Sequence, residues 1–337
     1  MVKLERDHID SWRVAESGLS ERVLNCAERE GVKTIGELRR VGRDELLNWR
    51  HFGVGSLKEV EAFFDYCGDL ESGRSKFTDI PDVLAAFLSS DELLVLVKRY
   101  GLERRESEVS RNYYTLQEIA NRRNLTRERV RQIESIALAR LATRLLVAQL
   151  APFRDQVFAA IESAGGLMAC ETLCRWRTSI FRSYSPCATT LLLSDLPESK
   201  FRYERGVFAS RSSEEMDMLY LQLLEALEEA SAPLAIDELA ASAATGPDEI
   251  FSILAGLKNL LLTKDGRVIY SKSSLNSFFY ELLGSKPARF HYKQLGKWAN
   301  AQLDQRTQKG YGHYLHRLLD MDSFERQGFG EYEPRMA

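Results

Sequence analysis

The 337-residue chain is short of several features that would point to particular functions. Its five cysteines, Cys26, Cys67, Cys170, Cys174 and Cys187, form an odd and scattered set that does not suggest a disulfide framework. No histidine or fourth cysteine lies near Cys170, Cys174 and Cys187 in the sequence to complete a zinc site, so all three read as small apolar residues. No stretch approaches the roughly 20 apolar residues of a membrane span. The opening MVKLERDHID is too charged for a signal peptide, so a cytoplasmic location without membrane contact is expected. There is no P-loop, nucleophile elbow or nuclease carboxylate cluster, so enzymatic activity is not expected, with residues 274–337 left open. His313 and His316 stand three apart without a carboxylate or cysteine partner, so neither a metal nor a cofactor is expected.

An excess of positive charge is also missing. A net charge of -3 excludes a uniformly basic DNA-coating protein. A local basic face is nevertheless sufficient to bind DNA, so charge has to be read by segment. The hydrophobic fraction of 44% is ordinary and supplies cores for two to four domains.

The apolar periodicity is mostly helical. Short helices divided by glycine fill the first 70 or so residues, and SGRSKFTD reads as a linker. Two later blocks share an order of three helices and a hairpin, with Arg205-Gly206 and Asp265-Gly266 at the turns. That order predicts tandem winged helices. In the second block Asp248 and Glu249 open the third helix and would repel phosphates, which favours a protein contact or architectural role. In the first block Arg175, Arg177, Arg182 and Lys200 make it the better DNA candidate. Residues 286–317 carry Lys286, Arg289, Lys293, Lys297, Arg306, Lys309 and Arg317 against Asp304 alone, seven cations to one anion, with Tyr292, Trp298, Tyr311 and Tyr314 between them. Such a patch suits nucleic acid through charge and stacking. It suits a small helical domain with an aromatic core equally well.

The most informative stretch is YTLQEIANRRNLTRERVRQIESIALARL, residues 114–141. Thr115 and Glu118 have the spacing of a capping box, and Thr126 can cap a second helix after a short turn. At about 100° per residue, Val130, Ile133, Ala137 and Leu141 gather on one side of that helix. Arg127, Glu128, Arg131 and Gln132 gather on the other. Eight arginines against three glutamates give residues 111–144 a charge of +5 within a net-negative chain. This is the layout of a helix-turn-helix, whose second helix places its first turns in the major groove. Arginine suits guanine, glutamine suits adenine and glutamate accepts from cytosine.

These residues resemble region 4 of the primary bacterial sigma factors, over roughly 85–145, with ELLVLVKRYGL as the lead-in helix. The resemblance implies recognition of promoter -35 DNA, with Arg127, Glu128, Arg131 and Gln132 facing bases. It leaves Thr115, Arg122, Thr126 and Arg129 as phosphate or supporting contacts. No basic, aromatic-rich helix set like the one that opens the -10 element is evident, so promoter melting is not expected. Upstream, LLNWRHFGVGSLKEVEAFF has the pattern of a helix-hairpin-helix, in which Gly53 and Gly55 allow close approach of a phosphate. From Leu19 to Gly68 the sequence resembles the C-terminal domain of the RNA polymerase alpha subunit. That implies minor-groove contacts by Arg22, Asn25, Cys26, Gly53, Gly55 and Ser56. His51, Val54 and Gly55 depart from the family's asparagine and lysines, which weakens phosphate attraction.

The expected fold is mostly α and multidomain. A helix-hairpin-helix domain (1–72) precedes a sigma region 4-like helix-turn-helix (78–150). Winged-helix-like (151–212) and winged-helix (213–273) domains with small β-hairpin wings follow, then a basic, aromatic-containing helical region (274–337). The expected function is a sequence-specific, nucleoid-associated transcription factor whose partners are double-stranded DNA and the RNA polymerase core. The alternatives are a polymerase-binding interaction protein, or the DNA-targeting subunit of a mobile-element, repair or defence system.

Overall fold

In the computed structural model the described residues are 4–73, 77–103, 110–176, 178–255, 257, 260–270, 273–284, 289–304, 324–328 and 330–334. The protein is mostly helical with small antiparallel sheets and divides into two compact units, 1–161 with 170–202, and 162–169 with 203–337.

The first unit begins with α1 (Arg6–Asp10), α2 (Glu21–Arg29), α3 (Ile35–Arg40), α4 (Arg43–Asn48) and α5 (Val54–Ser72). Ile9, Trp12, Val23, Ile35, Leu38, Leu57, Val60, Phe63 and Cys67 make their common core. Thr34 and Glu37 close a capping box that starts α3. Next come α6 (Ile80–Phe87), α7 (Ser90–Tyr100), α8 (Leu116–Arg123), α9 (Arg127–Leu141) and α10 (Arg144–Ser163). Val95, Ile119, Ala120, Val130 and Ile133 form a small core that joins α7, α8 and α9.

These two helical sets pack on each other. Tyr66 of α5 lies 4.6 Å, ring to ring, from Phe87 of α6, and Phe77 joins both. Leu145 of α10 enters the N-terminal core, and Arg144 pairs with Glu16 at 2.7 Å. Gly18, at φ +87, marks a close approach between them: a Cβ there would lie 2.9 Å from Thr143 Cγ2. The boundary expected at 150/151 falls inside α10, which runs through Pro152 because Leu146, Leu150, Phe153 and Val157 are buried along it.

The unit closes with α11 (Cys170–Arg175) and α12 (Pro186–Ser194). In a winged helix at 151–212, α12 would be the reading helix. Here Cys187 to Leu193 are buried without a break, so α12 offers no face to a groove. The cations around it are occupied. Arg182 pairs with Asp79 at 3.2 Å and Asp82 at 2.6 Å, Lys200 pairs with Asp155 at 3.2 Å, and Arg175 Nε donates to the Glu171 carbonyl at 3.2 Å. Arg177 lies outside the described residues.

The second unit contains β1 (Leu167–Ala169), β2 (Arg202–Glu204) and β3 (Val207–Ala209) in the order β1-β3-β2. It continues with α13 (Ser213–Glu229), β4 (Leu234–Ala235), α14 (Ile236–Ser242), α15 (Pro247–Leu254), β5 (Leu260–Leu262) and β6 (Arg267–Tyr270), with sheet order β4-β6-β5. Glu249, expected to repel phosphate from the start of α15, is buried and accepts the Ala169 backbone N–H at 2.9 Å. A Cβ on Gly206 would lie 2.8 Å from the Ser252 carbonyl oxygen. The α15 helix therefore packs on the preceding sheet.

The sequence predicts a helical last segment. The structure instead combines α16 (Leu275–Leu283) and α17 (Tyr292–Gln302) with a sheet of β7 (Phe290–His291), β8 (Phe324–Gly328) and β9 (Glu331–Pro334). Phe290, Phe324 and Tyr332 turn inward from those strands onto Phe278, Phe279 and Leu295. No single helix among the described residues is long and apolar enough to cross a membrane.

Burial pushes the Cys67 thiol up to about 12 from its ordinary 9.0. The folded state keeps this thiol neutral, while the unfolded protein ionises it near its ordinary value. Its contribution is full below pH 9.0 and is lost as pH rises towards about 12. Between about pH 8 and pH 10, unfolding titrations of the wild type are expected to lose about 1 kcal/mol more than those of Cys67→Ala.

Candidate nucleic-acid interface

The α8–α9 pair is built from local capping. Thr115 Oγ1 accepts the Glu118 N–H at 3.2 Å, and Glu118 Oε2 accepts the Thr115 N–H at 2.7 Å. The Thr115 backbone bond holds the Glu118 carboxyl below its usual range. The α8 helix stops at Asn124, at φ 53, a left-handed position that asparagine tolerates. Two residues later Thr126 Oγ1 accepts the Arg129 N–H at 3.1 Å and starts α9. With both ends of the turn fixed, the direction of α9 is fixed too.

Val130, Ile133, Ala137 and Leu141 are all buried, as their spacing predicts. Arg127, Glu128, Arg129, Arg131 and Gln132 are exposed. Arg131 donates to Glu128 through Nε at 2.8 Å and Nη2 at 2.7 Å, and Arg129 Nη1 reaches Gln132 Oε1 at 3.4 Å. The Arg131 bond is the chief cause of the lowered Glu128 carboxyl pKa. Both partners are more than half exposed, so the pair adds little stability. It does orient the guanidinium, whose Nη1 edge remains free of Glu128.

A part-buried contact holds α9 from behind. Arg99, in the last turn of α7, donates through Nε to Glu134 at 2.5 Å and through Nη1 to the Tyr114 carbonyl at 2.8 Å, and its Nη2 bonds Asn112. The Arg99 and Glu134 side chains are only 11% and 17% exposed. One arginine thus joins α7, the lead into α8, and the middle of α9. Arg122 stacks over Tyr114 at 4.4 Å, which makes it a supporting residue of the turn. Neither Arg99 nor its role stands out in the sequence, because KRYGL reads equally well as a solvated helix end.

In the N-terminal module, Ser20 bonds Glu59 at both its N–H (2.5 Å) and Oγ (2.8 Å), which fixes α2 against α5. Cys26 Sγ donates to the Arg50 carbonyl at 3.4 Å, and Arg29 bonds the same oxygen. The stripe of Arg22, Asn25 and Arg29 thereby borders the α4–α5 turn. Arg22, Asn25, Gly53 and Gly55 are exposed, and the side chains of Cys26 and Ser56 are covered. The left-handed residue of the turn is His51, at φ 67, while neither Gly53 nor Gly55 needs a positive φ. A Cβ on either glycine would meet nothing within 4 Å, so the start of α5 is open. Sequence reading passes over Arg29, Arg50 and Lys58, which are exposed at or next to this turn.

Comparison with known families agrees with this geometry. Residues 3–64 match the C-terminal domain of the bacterial RNA polymerase alpha subunit, and residues 86–143 match Sigma-70 region 4. The protein resembles both families, in that order. The first match begins well before Leu19 and takes in α1, whose Ile9 belongs to the same core. The DNA-directed RNA polymerase subunit alpha of Rubrobacter xylanophilus is 39% identical over 66 residues, covering 19% of this protein and 21% of the relative. That of Fervidobacterium nodosum is 41% identical over 54 residues, 16% of each. The similarity therefore spans about a fifth or less of the length of these relatives. Both matched families are associated with DNA binding and RNA polymerase interaction.

The remaining candidates lie elsewhere. Lys293 and Lys297 are exposed on one face of α17, and Arg289 pairs with Glu333 at 3.3 Å. Tyr292 and Trp298 are partly buried against the local core. Lys286, Arg306, Lys309, Tyr311, His313, Tyr314, His316 and Arg317 lie outside the described residues. Among the described residues no three His, Cys, Asp or Glu side chains converge as metal ligands.

Arg99→Ala would leave Glu134 half-paired and largely out of water. An expected loss of about 2–4 kcal/mol should appear as faster amide exchange across α8 and α9. Arg131→Ala, at an exposed position, should change stability by less than about 0.5 kcal/mol. Equal effects from the two variants would contradict the anchoring role of Arg99.

Proposed function

We propose that the protein is a sequence-specific transcription factor that recognises promoter -35-like duplex DNA through α9, contacts RNA polymerase, and regulates initiation at the nucleoid. The observation that carries this reading is the exposed set of Arg127, Glu128, Arg131 and Gln132 on the first turns of a helix held from behind by Arg99. Arginine and glutamine there match the donor and acceptor pattern of base edges. Arg129, beside them, suits a phosphate.

The N-terminal module adds a second contact. Arg22, Asn25, the α4–α5 turn and the open start of α5 suit a minor-groove backbone. Because the two modules pack through Tyr66, Phe87 and Leu145, they act as one reader with a set spacing and not as two sites on a flexible tether. The buried α12 and the packed α15 support architectural roles for the remaining helical blocks.

A polymerase-contact reading draws on a different surface. Ile136 and Leu138, in the second half of α9, are 46% and 39% exposed, which suits a protein partner better than phosphate. The double variant Arg131→Ala/Gln132→Ala separates the two. Affinity for -35-like duplex should fall by about 1–3 kcal/mol for each base interaction removed, while capture of core polymerase persists. Arg129→Ala should weaken binding to all sequences and reduce the salt slope by about one. If the double variant keeps full DNA affinity, α9 does not read bases and the interaction-protein reading stands.

A further inference from the structure

Two thiols outside the reading surface are placed to react with each other. Cys174, in the last turn of α11, is exposed, and Cys187, in the first turn of α12, is fully buried. Their sulfur atoms are 3.2 Å apart. The Cys187 thiol also donates to the Cys170 carbonyl at 3.1 Å, which holds it in this position. The remaining cysteines, Cys26, Cys67 and Cys170, are buried, so Cys174 is the one cysteine of the protein open to a dissolved oxidant.

We propose that Cys174 and Cys187 form an oxidation site for hydroperoxides, with Cys174 as the attacked thiol and Cys187 as the resolving one. The Cys174 sulfur attacks the peroxide O–O bond. It takes one oxygen to become a sulfenic acid and releases water, or an alcohol from an organic peroxide. The Cys187 sulfur then attacks the sulfenic sulfur, the S–O bond breaks, and the hydroxyl leaves as water with the Cys187 proton. Two thiols lose two electrons and two hydrogens, and the peroxide is reduced. Closing the contact to the roughly 2.05 Å of a disulfide needs a movement of about 1 Å. Burial keeps Cys187 out of reach of outside reagents. This separation assigns the first step to Cys174. A transient bond of this kind fits the reducing compartment expected for the protein, where cytosolic disulfides are redox-sensing rather than structural.

The site sits on the buttress of the reading module. The residue after α12, Asp195, accepts two bonds from Arg111 Nε, at 2.8 and 3.1 Å, one from Arg111 Nη2 at 2.7 Å, and one from the Tyr100 hydroxyl at 3.0 Å. The Ser185 N–H, at the cap of α12, bonds the Leu102 carbonyl at 2.5 Å. A crosslink from α11 to α12 therefore constrains the helix that meets the end of α7.

The test treats the full-length reduced protein with hydrogen peroxide and maps cysteines by mass spectrometry under non-reducing conditions. The expected product is a monomer that has lost two hydrogens, with the peptides containing Cys174 and Cys187 linked and the bond removed by dithiothreitol. Cys174→Ser, at an exposed position that does not threaten folding, should abolish the link. Cys187→Ala should leave a sulfenic acid on Cys174 that dimedone traps. A wild-type product dominated by Cys174–Cys174 dimers, or by sulfinic acid on Cys174 without the internal link, would overturn the proposal. So would a link that survives in Cys174→Ser.

Discussion

The exposed face of α9 depends on one part-buried ion pair. Arg99 has few alternatives once α7, α8 and α9 have packed. Its guanidinium is surrounded by Glu134, the Tyr114 carbonyl and Asn112, and water is largely excluded. Such a pair contributes little net stability compared with an apolar replacement, because desolvation offsets much of its attraction. Its value lies in geometry. A core of Val95, Ile119, Ala120, Val130 and Ile133 holds α9 by apolar contacts, which are non-directional. The fork of a guanidinium bonded at three points is directional. The base readout proposed for α9 needs side chains held to fractions of an ångström, and the hydrogen bonds behind the helix supply such a constraint.

The same logic extends to the pairing of the two modules. Two weak DNA readers on a loose linker gain from raised local concentration, but they sample many spacings. Here the close approach at Gly18, the aromatic cluster of Tyr66, Phe77 and Phe87, and the entry of Leu145 into the N-terminal core remove that freedom. For the DNA reader proposed above, the gain is selectivity for one arrangement of major- and minor-groove sites, and the cost is that sites with other spacings are bound by one module at a time.

Much of the α8–α9 pair is legible in the sequence, because its determinants are local. Thr115, Glu118 and Thr126 act on backbone groups three residues away, and the inward stripe of Val130, Ile133, Ala137 and Leu141 follows from helical period alone. What is not legible depends on distant partners. Arg99 and Glu134 are 35 residues apart. The burial of α12 depends on packing that its own run of CATTLLL does not specify, since a short apolar helix suits a reading domain and a core equally well. The strands at Phe324 and Tyr332 are short, and their alternation is lost among charged residues. Cys26 and Ser56 follow a family pattern by position, but solvent access depends on how α2 meets the α4–α5 turn.

The central claim is that α9 of this protein discriminates between duplex sequences. The most direct measurement is selection from a randomised duplex library with the full-length protein, repeated with the α9 face replaced by alanine at Arg127, Glu128, Arg131 and Gln132. The account predicts an enriched major-groove motif, accompanied at one fixed distance by a weaker A·T-rich preference, and loss of the motif in the variant. Recovery of the same motif from both proteins, or of no motif from the wild type, would contradict it.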